Sequence, residues 1–111
     1  MIVDDEFAFA IYDKFPVTPF HSLIIPKRHI SSFFDLDHSE LDSIIHILAK
    51  MRTTILTEDR TVEGFNIGVN IGETAGQTIF HYHIHLIPRR RGDVENPRGG
   101  VRGVIPRKQS Y

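Results

Sequence analysis

Three features of this sequence predict an α+β fold, an antiparallel sheet of about five strands carrying one long amphipathic helix. Short β-prone runs flank a single stretch of helical period, giving the element order β-β-α-β-β. The runs on the C-terminal side of that stretch alternate apolar and polar residues, the period of a half-buried strand. With 111 residues, 41% of them apolar, the chain is long enough for one domain with one core and too short for two, so residues 1–111 are expected to fold as a single unit.

Residues 7–12 read Phe-Ala-Phe-Ala-Ile-Tyr, bounded by acids before and by a proline-containing stretch after, which predicts a strand followed by a turn. Residues 21–26, His-Ser-Leu-Ile-Ile-Pro, form a second such run, so the two make a hairpin with an irregular connection. Asp37 followed three places later by Glu40 is a capping-box signature. Leu41, Ile44, Ile45, Leu48, Met51 and Ile55 then fall on one helical stripe, predicting a helix from about residue 38 to 57. Phe65, Ile67, Val69 and Ile71 alternate with Asn66, Gly68 and Asn70 as a half-buried strand does. The loop Gly72-Glu73-Thr74-Ala75-Gly76 leads into a last long strand over about residues 78–88, making a second hairpin. Beyond it the composition shifts to Arg, Gly and Pro, with a short strand expected at residues 101–105.

Composition narrows the function classes. Cysteine is absent, which excludes disulfides, thiolate catalysis and cysteine-ligated zinc within these residues. No apolar run approaches the roughly 20 residues that cross a bilayer, and the first six residues are acidic where a secretory signal is basic, so a cytoplasmic protein without a membrane partner is expected. Residues 89–111 hold seven of the thirteen Lys and Arg and two of the fourteen acids, so this tail is +5 (7 − 2) and the remainder −6 (6 − 12). A basic tail attracts phosphate-bearing ligands, whereas so acidic a body argues against a specific nucleic-acid binder. The run Arg89, Arg90, Arg91 reads equally as a solvated loop.

The chemistry concentrates at residues 81–87, His-Tyr-His-Ile-His-Leu-Ile. On an extended backbone His81, His83 and His85 share one face, while Tyr82, Ile84 and Leu86 cover the other. Imidazole, with an ordinary pKa of about 6.5, is mostly neutral and nucleophilic near pH 7. Three readings stay open on the heptad alone. Three rings in register are hard to satisfy inside a core, because each has two nitrogens that need partners. Alternate strand histidines can ligate zinc or iron, but the neighbours Gln77 and Thr78 are poor metal ligands and good phosphate donors. The surroundings favour an oxyanion over a cation, and no metal is assigned.

The heptad resembles the His-φ-His-φ-His-φ-φ signature, φ being an apolar residue, of the histidine-triad nucleotide-binding and hydrolysing superfamily. The likeness runs from about residue 9 to residue 92. It is strongest toward bacterial members and the fragile-histidine-triad branch, through Ala75-Gly76-Gln77-Thr78 and the run from Ile87-Pro88-Arg89 to Gly92-Asp93. The resemblance implies that His83 is the nucleophile, attacking the α-phosphorus of a nucleotide to make a nucleotidyl-histidine that water hydrolyses. For that role its other ring nitrogen should donate to a backbone carbonyl. By the same resemblance His85 and His21 reach the α-phosphate oxygens and the scissile bridge, and His81 orients its neighbours through a hydrogen bond to backbone. Gln77 and Thr78 are expected to donate to the phosphates, with Asn70 bracing them.

Asp13, eight residues before His21, is expected to accept from the ribose hydroxyls, the structural alternative being an Asx turn before Pro16. Ile11, with Phe9 beside it, would line the base pocket. His29, His38 and His46 are read as surface or helix histidines. Many relatives begin with a further helix and strand; here about six residues precede the first strand, which implies a base pocket open or differently completed on that edge. The substrate expected is a dinucleoside polyphosphate such as diadenosine tetraphosphate, its distal phosphates held by the tail arginines. The alternatives are a nucleoside phosphoramidate hydrolase, a nucleotide-binding regulator with incidental hydrolysis, and a metal-dependent enzyme. No cofactor is required for the chemistry, although a divalent cation can accompany the substrate. The resemblance also implies a homodimer with the helix in its interface.

Overall fold

A computed structural model describes residues 1–111. Five strands form one antiparallel sheet in the spatial order β1-β2-β3-β5-β4: β1 (Val3–Asp4), β2 (Ala8–Tyr12), β3 (Ser22–Pro26), β4 (Val62–Gly68) and β5 (Ile84–Arg90). Between β3 and β4 runs the helix α1 (His38–Glu58), which packs across β2 and β3 on one face of the sheet. The fold is α+β, as the patterning predicts; the two-residue β1, too short to leave a periodic signal, is the strand that the sequence reading missed.

The helix begins where its capping box stands. Asp37 accepts from the Glu40 backbone N–H at 2.9 Å and Glu40 accepts from the Asp37 N–H at 3.0 Å, satisfying two otherwise orphaned donors. Glu40 is also gripped by Arg28, at 2.7 and 3.0 Å, tying the helix start to the segment after β3. The buried stripe is Ile44, Ile47, Met51 and Ile55, which meets Ala8, Ala10, Ile24, Ile84 and Leu86 from the sheet. Ile45 was expected on that stripe but is 57% exposed, because it lies about 100° round the helix from Ile44.

Three other expectations are corrected. The histidine strand does not run over 78–88: β3 pairs with residues 84–86 and β4 with 85–90, so the chain from 78 to 83 lies beyond any ladder. Its backbone is held there by a bond from Tyr82 N–H to the Ile30 carbonyl, at 2.6 Å. The preceding strand covers 62–68 rather than 65–71, because its partner β5 ends opposite Val62 and His85 lies opposite Gly68. Residues 101–105 form no strand. Gly99 and Gly100 adopt positive φ (+91° and +46°) and turn the chain into a 3₁₀ helix, Gly100–Val104, without a ladder partner.

Candidate active site

The sheet face opposite α1 carries the site. Register places Ile11 beside Leu23, Leu23 beside His85, and His85 beside Gly68, a row across four strands on one face. Gly68 contributes no side chain, so space opens next to His85. Although His81 and His83 precede β5 and the chain bends at His81, burial alternates through them as in the strand: Tyr82 and Ile84 are buried while His81, His83 and His85 are half-buried.

Each ring has its tautomer set by a neighbour with one fixed role. His81 Nε2–H donates to the Pro26 carbonyl at 2.8 Å. His83 Nδ1–H donates to the His81 carbonyl at 2.9 Å, which leaves the Nε2 lone pair of His83 free. Val17 N–H donates to His21 Nδ1 at 3.0 Å, so the proton of neutral His21 must sit on Nε2. That Nε2–H donates to His85 Nδ1 at 2.9 Å, and His85 therefore carries its own proton on Nε2, where no group of the chain accepts it. One backbone amide thus orients two imidazoles and points a donor outward. Phe20, just before His21, adopts a left-handed backbone with φ of 71°, a strained conformation that the hairpin turn imposes as it brings His21 under His85.

Burial pushes His21 below the ordinary histidine value of 6.5, against the pull of Asp13. His85 is pushed down by burial first, then by the nearby His21 and His83 rings, with Asp13 opposing. Both rings are therefore neutral near pH 7.

Several expected roles change on this geometry. His21 is 2% exposed and uses both nitrogens within the protein, so it holds His85 and does not reach a phosphate. Gln77 is buried: its carbonyl accepts from Gly72 N–H at 2.8 Å and its amide donates to the Ser31 carbonyl at 2.9 Å, so it anchors the loop before the histidines and presents nothing to a ligand. Asp13 makes the Asx turn, accepting from Phe15 N–H at 2.8 Å, while its other oxygen lies 3.5 Å from His21 Nε2. Arg89 is bound to Asp93 and Asn66, and Arg90 to Asp59 and the Pro19 carbonyl, so neither is free to grip a distal phosphate. Thr78 is exposed before the histidine run. Asn70 lies with His85 and His21 on the wall of a cavity of about 450 Å³.

A second, apolar cavity of about 290 Å³ lies on the other side of the row, lined by Phe9, Ile11, Leu23, Ile25 and Ile79 and reached by His81 and His83. Ile11 and Phe9 thus line an apolar cavity beside the histidines. His29 was read as a plain surface residue; its ring packs edge-on against His81, with centroids 4.9 Å apart, a contact that no periodicity reveals. Asp13, His21 and His85 offer donor atoms within 4.8 Å of one another, enough to hold a small cation. A metal there would have to break the His21–His85 hydrogen bond that sets both tautomers.

Comparison with known proteins places this geometry. The family model described as HIT domain matches residues 1–92. A HIT-like protein of Mycoplasma pneumoniae is 40% identical over 86 residues, 78% of this chain and 59% of that protein. The bis(5'-adenosyl)-triphosphatase of Dictyostelium discoideum is 35% identical over 91 residues, 82% of this chain and 60% of that protein. The crystal structure of a HIT family protein from Bacillus anthracis superposes with a TM-score of 0.76 at 41% identity, covering 82% of this chain and 64% of that one. The chain spans about three fifths of the length of these curated relatives.

Proposed function

The chain belongs to the HIT domain family, and from that premise we propose that it hydrolyses a nucleoside phosphate at the α-phosphorus, with His83 as the nucleophile. The observation that carries this reading is the hydrogen bond from His83 Nδ1–H to the His81 carbonyl. It leaves the Nε2 lone pair unprotonated, on a ring that lines the apolar cavity and stands beside His85, with centroids 5.2 Å apart.

In the proposed reaction the base occupies the cavity of Ile11, Leu23 and Ile25, which sets the α-phosphorus before His83. The bond from Nε2 to phosphorus forms as the bond from phosphorus to the departing group breaks, and that group takes its proton from solvent. His85 Nε2–H donates to a phosphoryl oxygen, where negative charge grows in the transition state. Water then attacks the nucleotidyl-histidine, releasing the nucleoside monophosphate and one proton and restoring neutral His83. Asp13 keeps one carboxylate oxygen that can accept from a ribose hydroxyl. Asn70, on the wall of the cavity beside His85, and the exposed Thr78 would then donate to phosphate oxygens. The chemistry calls on no cofactor, and a divalent cation would arrive with the substrate's phosphates.

A relative named for hydrolysis of a dinucleoside triphosphate supports dinucleoside polyphosphates as the first class to test. His83→Ala is expected to lower kcat by about 10⁴-fold or more, and incubation with a radiolabelled dinucleoside polyphosphate should leave label on acid-quenched wild-type protein but not on the variant. Unchanged turnover by His83→Ala on every nucleotide tried would overturn the assignment.

The proposal includes a homodimer. β4 is an outer strand of the sheet, and the exposed Ile67 on β4 and Ile45 on α1 offer apolar surface to a second copy. Light scattering after size exclusion is expected to give twice the chain mass, and a monomer at micromolar concentration would exclude it.

A further inference from the structure

His81 and His83 lie where no strand holds them. Residues 78–83 join no ladder and the chain bends at His81, so the placing of these two rings has to come from elsewhere in the fold. It comes from the end of β3 and the segment that follows. Pro26 accepts from His81 Nε2–H at 2.8 Å, Ile30 from Tyr82 N–H at 2.6 Å, and Ser31 from the Gln77 side-chain amide at 2.9 Å, each through its backbone carbonyl.

These bonds reach His83 through one peptide unit. The His81 carbonyl, which receives His83 Nδ1–H at 2.9 Å, and the Tyr82 N–H, which donates to Ile30, belong to the same planar amide. A trans amide points these two groups in opposite directions, so a tilt of the unit loosens both bonds at once. The unit hangs from the His81 Cα, at the bend. What keeps that point from turning is the His81 side chain, and its single hydrogen bond to Pro26 leaves the ring free to swing about the bond. The second contact removes that freedom: the His29 ring stands edge-on to His81, with centroids 4.9 Å and planes 63° apart.

His29 is well placed to act as a stop. On one side Arg28 grips Glu40 and the Asp35 carbonyl, and on the other Ile30 is buried in the core. The His29 side chain itself is exposed, so the core does not depend on it.

We propose that His29 is a positioning residue: its ring, edge-on to His81, holds the peptide unit between His81 and Tyr82 so that the His81 carbonyl keeps the proton of His83 on Nδ1. Without that stop the carbonyl drifts, the proton can move to Nε2, and the lone pair that faces phosphorus is lost. The effect on turnover rests on the reading of His83 as nucleophile; the effect on the His83 tautomer does not.

The test compares His29→Leu, which removes the aromatic edge, with His29→Phe, which keeps an edge that takes up no proton. His29→Leu is expected to lower kcat on diadenosine tetraphosphate by about tenfold, and His29→Phe to recover most of that rate. Affinity for adenosine monophosphate, read by calorimetry, should stay within about twofold of wild type in both, and the thermal melts should coincide. Imidazole nitrogen NMR, recorded with the rings neutral, gives a readout apart from turnover. Wild-type His83 should show the Nδ1–H tautomer, His29→Leu a mixture with Nε2–H, and His29→Phe the wild-type pattern. An unmoved kcat or tautomer in His29→Leu, equal losses for the two variants, or a loss of affinity as large as the loss of rate would overturn the assignment. If the tautomer shifts as expected while wild type turns over no nucleotide tried, the His83 reading fails and the positioning stands. Turnover that both variants leave unchanged, with the tautomer fixed, sinks the positioning alone.

Discussion

At the scale of the residue, the site depends on where four protons sit, and His21 controls two of them. Because Val17 N–H occupies Nδ1 and His85 Nδ1 occupies Nε2, His21 cannot gain a proton without breaking one of these bonds. It is a positioning residue, and its loss should be felt in kcat more than in binding. His21→Leu frees the His85 ring to turn or to change tautomer and is expected to lower kcat by about 10–100-fold. Affinity for a non-hydrolysable nucleotide, read by calorimetry, should be nearly unchanged. His21→Gln, which can still accept with its oxygen and donate with its amide, should recover part of the rate. Equal losses in kcat for the two variants would mean that His21 fills space and nothing more. The backbone bond of His83 was legible in the sequence because its acceptor lies two residues back on the same run, and His81 too makes the backbone bond expected of it, though its acceptor, the Pro26 carbonyl, comes from β3. The roles of His21 and Gln77 were not legible. Their partners Val17, Ser31 and Gly72 belong to irregular segments whose path only the folded chain reveals.

At the scale of the element, the start of α1 links the helix to the site's supporting strand. Glu40 closes the capping box and receives Arg28, which follows β3, so one carboxylate serves two segments. The Arg28 bond foremost, then the Asp37 backbone bond, hold its pKa below the ordinary carboxylate value, against the opposing effect of burial. Glu40→Ala removes three accepted hydrogen bonds and is expected to cost about 2 kcal/mol, a figure held down because Arg28 is half in solvent. Urea denaturation measures it, and a loss under about 0.5 kcal/mol would show that the cap is dispensable. This element could be read from its signature and period, as could β2 and β3 from their bounding residues. β5 was misplaced because the boundary of a strand belongs to its partners: its pairing with β3 stops at Ile24 and Ile84 although β3 runs on to Pro26, and the chain over 78–83, bent at Ile79 and His81, joins no ladder. The C-terminal turn was misread for a different reason. Val101 to Ile105 looks β-prone, but the positive φ of Gly99 and Gly100 decides the path.

At the scale of the whole molecule, the buried histidines tie stability to pH in a way that separates them from the surface acids. His21 and His85 both have folded pKa values below 6.5, the ordinary value they regain on unfolding. As pH falls below 6.5 the unfolded chain binds protons that the folded one refuses, so the unfolding free energy drops. The loss stops once the pH lies below the folded values, where both states are protonated. The contribution of these rings is therefore complete above about pH 7 and spent in the mildly acidic range. Asp59 works in another window. Bonds from Thr61 and then Arg90 hold it at about 2, down from 3.8, so its contribution is present above 3.8 and is lost as pH falls toward 2. Asp93, lowered by Arg89 and the Arg90 backbone, adds to that second loss. Urea midpoints taken from pH 8 to pH 3 should show a plateau, a decline beginning near 6.5, a shallower stretch, and a second decline below about 4. His21→Leu should shrink the first decline and leave the second in place. A midpoint that stays level from pH 7.5 to 5 would show that the two rings take up protons freely in the folded protein, which the bond from Val17 to His21 and the bond from His21 to His85 do not permit.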